Sequence, residues 1–314
     1  MTAMCEPIRG AAGAAPSMSG QSSESDDSMS KSKAAFVLVH GGWHNRSTWR
    51  RVTPMLEAQG FAALTLDLPG AGANAIAPAS SNRRPFDPAA FAIEPSPVAG
   101  ITQEERVHAV LAVVEQAASL AKGRVILVGH SAAGMTISAV AEQVPERLLA
   151  IVYLAGFMVP NGMALLSMLQ HETMSSALAP GLFVGDPAAI GATRINAGST
   201  DPAYRSLLKA AFYADLPEAE FADAAAQLHC DEPNGPALAL SDITPHRFGR
   251  VPRHYIRCAR DRAIPLAGQD HMIAAVDDAI GGKTITHTLD SSHSPFASQP
   301  AALSAILNDI APGS

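Results

Sequence analysis

The chain has 314 residues, 47% of them hydrophobic and 16% charged, enough apolar side chain for one sizeable core without requiring two. A formal charge of −7, with no run of lysine and arginine, excludes a nucleic-acid polyanion as the expected partner. Three distant cysteines, Cys5, Cys230 and Cys258, without C-x-x-C spacing argue against a disulfide framework or a zinc knuckle, and no run of 18 apolar residues marks a membrane span.

Residues 1–33 are rich in Ser, Gly and Ala, hold Ile8 as their single large branched aliphatic, and read as a disordered tail. They lack the compact apolar segment of a secretory signal, so a cytoplasmic, reducing setting is the expectation. From Ala34 onward, short apolar runs at 34–40, 61–67, 124–130, 148–156, 253–259 and 284–290 predict strands covered on both faces. Helical patterns at 48–59, 102–121, 132–145, 267–279 and 298–310 separate most of them. That alternation predicts an α/β fold: a mostly parallel six-stranded sheet, right-handed crossovers, and helices on both faces. Residues 71–100 carry five prolines and read as a long loop, functional or mobile. Residues 161–250 hold about three helical patterns and no good strand run, and read as a helical cap inserted between a first core segment, 34–160, and a second, 251–314.

Ser131 directly follows the strand "RVILVGH", and in open α/β sheets reactive groups gather at carboxyl ends of strands. Gly129 and Gly134 suit a tight strand-to-helix turn carrying a nucleophile, although Ala133 stands where the usual G-x-S-x-G pattern has its second glycine. A plain alternative is a serine capping the next helix. A serine nucleophile needs a base, and the base an orienting acid. Asp261 follows "RHYIRCA" and His293 follows "TITHTLD", giving the order Ser, Asp, His. Their alternatives are a surface ion pair of Asp261 with Arg260 or Arg262, and an ordinary loop histidine. Asp290, three residues before His293, is a poorly placed competitor for the acid, and the loop "GFMVPNG" after the fourth strand contains none.

Acyl transfer also needs two backbone N–H donors for the developing oxyanion. Ala132 at the helix start is one candidate. Gly42, in "VLVHGGWHNRSTW", is the other, with a simple Gly41-Gly42 turn as the lesser alternative. His40 and His44 are four apart but have no supporting Cys, Asp or Glu cluster, so structural roles are expected and neither metal nor cofactor is predicted.

These residues resemble the α/β-hydrolases that include plant methylesterases, hydroxynitrile lyases and bacterial carboxylesterases, over most of residues 34–311. The likeness rests on "FVLVHGGWHNRSTW", "VILVGHSAAG", "FYADLPEAEFADAA", "RDRAIP" and "DSSHSPFASQPAAL". It implies a Ser131–His293–Asp261 triad with Gly42 and Ala132 as oxyanion donors. The chain departs from the family at Ala133, in the tail and in a longer 71–100 loop. The lyases resembling it carry threonine after the strand-end histidine and lysine after the catalytic histidine. Here those positions are Gly41 and Ser294, with no cation for cyanide, so ester hydrolysis is expected. Gly41, Trp43, Met158, Met163 and Ser294 are the candidate pocket residues, and Met168 and Met174 could add to an apolar, adaptable site or pack the cap. The expected activity is a serine carboxylesterase acting on small hydrophobic esters. Rivals are a hydroxynitrile or carbon–carbon lyase, a cofactor-free dioxygenase and a non-catalytic small-molecule receptor. The expected partner is a small-molecule ester and, at most, a second copy of the chain, with no nucleic acid and no membrane.

Overall fold

The structure, a computed structural model, describes residues 34–311; the tail expected over residues 1–33, with Cys5, lies outside them. Its strands are β1 (Ala35–Val39), β2 (Ala62–Thr65), β3 (Val125–His130), β4 (Leu148–Leu154), β5 (Ala192–Arg194), β6 (Asp231–Pro233), β7 (Arg253–Cys258) and β8 (Ile285–Leu289). Six form one sheet in the order β2-β1-β3-β4-β7-β8, with every pairing parallel. The chain runs outward from β1 to β2 and then returns to the other side of β1 as β3. That reversal opens a crevice at the carboxyl ends of β1 and β3, where ligands bind in open α/β sheets. The register Val39↔Gly129 sets the loop after β1 beside His130 and Ser131.

Alternation along the strands builds two cores. Val37, Val39, Leu127 and Ile151 meet Val110 and Val114 of the helix Gln103–Leu120, Ile137 of Ala133–Gln143 and Val276 of Leu266–Ile280. Phe36, Leu38, Ile126 and Val128 point the other way, against Trp49, Leu56, and Leu303 of Pro300–Ile310. The helix Gln103–Leu120 starts where predicted because Thr102 and Glu105 form a reciprocal capping box.

Three stretches differ from the sequence expectation. Residues 48–59 divide into a 3-10 turn, Arg46–Trp49, and a helix, Thr53–Ala58, since Pro54 has no N–H and fits only a first helical turn. The proline-rich stretch contains a helix, Pro88–Ile93, capped by the Asp87 carboxylate, and Glu94 accepts hydrogen bonds from Ala79 N and Ser80 N. Within 161–250, β5 and β6 form an antiparallel ribbon. Its strands, ATR and DEP, are too short and polar to show alternation. Buried Arg194 makes a bidentate pair with Asp231 at 2.6 and 2.7 Å and also bonds Phe91 O and Glu94 O, tying the ribbon to the helix Pro88–Ile93. Among the described residues no helix is long and apolar enough to cross a membrane, and Cys230 and Cys258 are free thiols.

Candidate active site

Ser131 sits at the joint between β3 and the helix Ala133–Gln143 with φ +53, a left-handed conformation that costs a non-glycine residue about 1–2 kcal/mol. Its backbone is held by Ser131 N donating to Leu154 O at 3.2 Å, and by Gly134 N and Phe157 N donating to Ser131 O at 3.0 and 2.9 Å. The turn is crowded around its glycines. A Cβ at Gly134 would lie 2.7 Å from Phe157 N, one at Gly129 would lie 2.7 Å from Ile137 Cδ1, and one at Gly41 would lie 2.7 Å from Ser131 Cβ. The methyl of Ala133, where the usual G-x-S-x-G has glycine, is buried in the core. Ser131 is not the helix cap either: the N-cap is Ala132, with no side-chain capping bond.

Asp261, past β7, and His293, past β8, are brought together. Asp261 Oδ2 accepts from His293 Nδ1 at 2.7 Å, and Oδ1 accepts from Ala263 N and Ile264 N at 2.7 and 2.9 Å. His293 is 1% exposed and Asp261 6%. With Nδ1 donating to the carboxylate, the lone pair is left on Nε2, the nitrogen a general base needs. Arg260 pairs with the exposed Asp290 at 2.8 Å and not with Asp261, and the carboxylate that His293 Nδ1 meets is that of Asp261. Ser131 Oγ to His293 Nε2 is not among the hydrogen bonds of the described residues; in unliganded sites that bond is often loose and tightens with substrate. The His293 loop is anchored twice. His130 Nε2 donates to His293 O at 3.1 Å, and Asp215 from the inserted segment accepts from Ser292 N at 3.0 Å and from Ser292 Oγ.

The loop after β1 supplies the other wall. Among the described residues, neither Gly42 N nor Ala132 N donates a hydrogen bond, and both residues line the cavity that holds Ser131. Trp43 has φ +60 and is tied to the ribbon: its N–H donates to Glu232 Oε2 at 3.2 Å, its Nε1 to Thr193 O at 2.9 Å, and its carbonyl accepts from His229 N at 3.0 Å. His40 and His44 serve this loop, with both ring nitrogens of each engaged in hydrogen bonds. His40 Nδ1 donates to Gly41 O at 2.9 Å while Nε2 accepts from Leu68 N at 3.1 Å. His44 Nδ1 donates to Gly42 O at 2.7 Å while Nε2 accepts from Tyr213 Oη at 2.9 Å. Burial pushes their pKa values down to about 4 and about 3, so both are neutral imidazoles. No group of three or more His, Cys, Asp and Glu able to hold a metal is present among the described residues.

The cavity encloses about 200 Å³. Its apolar wall comes from Trp43, Phe157, Leu165, Phe183, Phe212 and Ile264, and one polar stretch is formed by Arg106, Glu232 and Asn234. Of the candidate pocket residues, Trp43 lies on the wall, whereas Gly41, Met158, Met163 and Ser294 do not. Met158 is fully buried in the core and Met163 packs against it, so both are taken up by core packing rather than by the cavity. Ser294 is wholly buried at the start of the helix Pro295–Ser298, and Gly41 is hidden under His130 and Ser131. Met168 and Met174 are likewise core residues. Sequence reading missed Arg106 and Glu232, 126 residues apart, whose side chains meet at 2.5 Å. Burial pushes the Glu232 carboxyl up, but the charge and hydrogen bond of Arg106, with His229 and Trp43 N–H, hold it below the ordinary carboxylate range. A second cavity of about 630 Å³, under the proline-rich stretch and lined by Ile76, Phe86 and Leu228, is not lined by Ser131, Asp261, His293, Gly42 or Ala132.

The chain is 28% identical over 285 residues to putative methylesterase 11, chloroplastic, of Arabidopsis thaliana, a match covering 88% of this chain and 63% of that one. It is also 28% identical over 286 residues to salicylic acid-binding protein 2 of Nicotiana tabacum, covering 88% and 96%. The chain spans 55% to 63% of the length of the putative chloroplastic methylesterases 11, 15 and 13. In fold it resembles a pyrethroid hydrolase from Sphingobium faniae JZ-2, with TM-score 0.67, 20% identity, and coverage of 88% of this chain and 96% of that one. Polyneuridine aldehyde esterase superposes with TM-score 0.64 at 22% identity, covering 88% and 99%. The pattern described as "Alpha/beta hydrolase family" matches residues 36–306, and so takes in the parallel sheet, the strained serine turn and the inserted segment alike. The chain belongs to the alpha/beta hydrolase family.

Proposed function

We propose that this chain is a serine carboxylesterase acting on small hydrophobic esters. The observation that carries the reading is the buried His293–Asp261 pair beside a cavity whose wall holds Ser131 on a strained turn. Ser131 Oγ attacks the ester carbonyl carbon while His293 Nε2 takes the hydroxyl proton, and Asp261 holds the resulting imidazolium. The carbonyl oxygen, now anionic, is received by Gly42 N–H and Ala132 N–H, a type of contact whose loss costs about 10²–10³ in rate. Collapse expels the alcohol oxygen, which takes its proton from His293 and leaves an acyl-Ser131. Water then gives a proton to His293 and its oxygen to the acyl carbon. The acid departs and Ser131 regains its proton.

The apolar wall supports a hydrophobic acyl or alcohol group. Methylesterases and a pyrethroid hydrolase among the relatives point the same way. A lyase reading has no support in the site: the positions that would hold threonine and lysine are Gly41 and the buried Ser294. Labelling with a fluorophosphonate, followed by peptide mapping, tests the proposal. Modification at Ser131 that is abolished by His293→Ala is the expected result; modification elsewhere, or none alongside unchanged ester turnover, refutes it.

A further inference from the structure

Glu232 has no part in the mechanism above, yet it touches the loop that carries Gly42. It is 9% exposed and its partner Arg106 3%, and both stand on the cavity wall. A desolvated ion pair is a poor device for stability, since apolar residues of similar volume usually serve as well or better. What it does locally is specific. The peptide joining Gly42 to Trp43 is gripped at both ends: His44 Nδ1 donates to its carbonyl at 2.7 Å, and its N–H donates to Glu232 Oε2 at 3.2 Å. The Glu232 side chain also packs on Gly42, its Cδ lying 3.5 Å from where a Cβ would stand. The loop needs such a grip because Trp43, at φ +60, is held in a conformation its backbone would otherwise leave. A bare carboxylate there would repel an oxyanion forming at Gly42, and Arg106, 2.5 Å from Oε1, neutralises it.

We propose that Glu232, fixed and neutralised by Arg106, is a positioning residue that clamps the Gly42–Trp43 peptide and so aims Gly42 N–H at the carbonyl oxygen of the bound ester. This rests on the hydrolase reading above. The clamp acts on the transition state alone, so it shows in kcat and not in KM.

The test compares R106M/E232Q with R106M/E232M. Neither leaves a buried unpaired charge, and only glutamine can accept from Trp43 N–H. Folding is checked by circular dichroism and thermal melting. The methionine variant is expected to have a kcat about 10-fold below that of the glutamine variant, with KM changed less than about 2-fold, since small misplacements of catalytic groups carry losses of this order. Affinity for a trifluoromethyl ketone, which places an oxyanion over Ser131, should fall by the same factor. Affinity for the matching amide should not. Equal kcat values, a difference confined to KM, or equal loss of both ligands overturns the clamp. Should R106M prevent folding, R106Q/E232Q against R106Q/E232M carries the same comparison. A wild-type protein that neither hydrolyses esters nor takes fluorophosphonate at Ser131 refutes the hydrolase reading and the clamp together. An active wild type with matched double variants refutes the clamp alone.

Discussion

Acid should unfold this protein through its buried histidines before the carboxylates titrate. His40 and His130 sit at the ends of β1 and β3 and His44 in the loop after β1, and they are 1%, 0% and 3% exposed. Burial lowers His40 from 6.5 to about 4 and His44 to about 3, and, with the nearby His293 and His44, lowers His130 well below 6.5. The hydrogen bonds give the same sign: Nε2 of His40 and of His44 accepts, from Leu68 N and Tyr213 Oη, and a protonated ring could not. A group whose folded pKa is depressed leaves the unfolded chain binding more protons below the unfolded value. Its stability contribution is therefore intact above about pH 6.5 and is lost as pH falls towards the folded pKa. Between pH 7 and pH 5 His40 and His44 each remove about 1.9 kcal/mol, together about 4 kcal/mol, and His130 adds to the loss in the same direction, a large share of the stability of a typical domain. Urea melts at the two pH values, followed by the fluorescence of Trp43 and Trp49, measure this directly. His44→Gln keeps a donor and an acceptor but cannot titrate, so it should shrink the pH 7 to pH 5 loss by about 2 kcal/mol. Equal stabilities at pH 7 and pH 5, or a His44→Gln variant with the wild-type pH dependence, would show that these rings are not held neutral.

Three further outcomes follow from the geometry. Asp261→Asn puts an amide against His293 Nδ1 and favours the wrong tautomer, so ester kcat should drop about 10³–10⁴-fold while the melting curve changes little; a loss below tenfold removes Asp261 from the triad. Gly134→Ala forces a methyl against the Phe157 backbone and should cost about 1–3 kcal/mol in urea, with a larger fall in turnover as the Ser131 turn is displaced; wild-type behaviour in both assays would mean the turn is not tight. Within about 200 Å³ of apolar cavity, lengthening a p-nitrophenyl ester from acetate to butyrate should raise kcat/KM about fourfold per buried methylene, and a preference for acetate would argue that the wall is not the substrate site.

Much of the core was legible in the sequence because burial on both faces writes itself into consecutive residues. Phe36–Val39 and Val125–Val128 are apolar without alternation, and they form the central strands β1 and β3. Ser131 follows such a run directly, whereas Asp261 and His293 lie just past β7 and β8, and β8 is an exposed edge strand rather than one covered on both faces; a parallel sheet still brings the carboxyl ends of its strands to one rim. The paired glycines 41 and 42 marked a close backbone approach in the same local way.

The cavity wall was decided by tertiary structure alone. Met158 and Met163 follow β4 in sequence but turn into the core, while Phe183 and Phe212 arrive from the inserted segment. The β5–β6 ribbon depends on Arg194 finding Asp231, and the grip on Gly42 depends on Arg106 meeting Glu232 across 126 residues. A strand records its own burial in its own residues, because the pleat repeats every two positions. Which side chain of a distant segment closes a pocket, or neutralises a buried charge, is set by contacts between segments that no local period encodes, and a lone arginine on a helix reads the same in solvent as on the wall of a cavity.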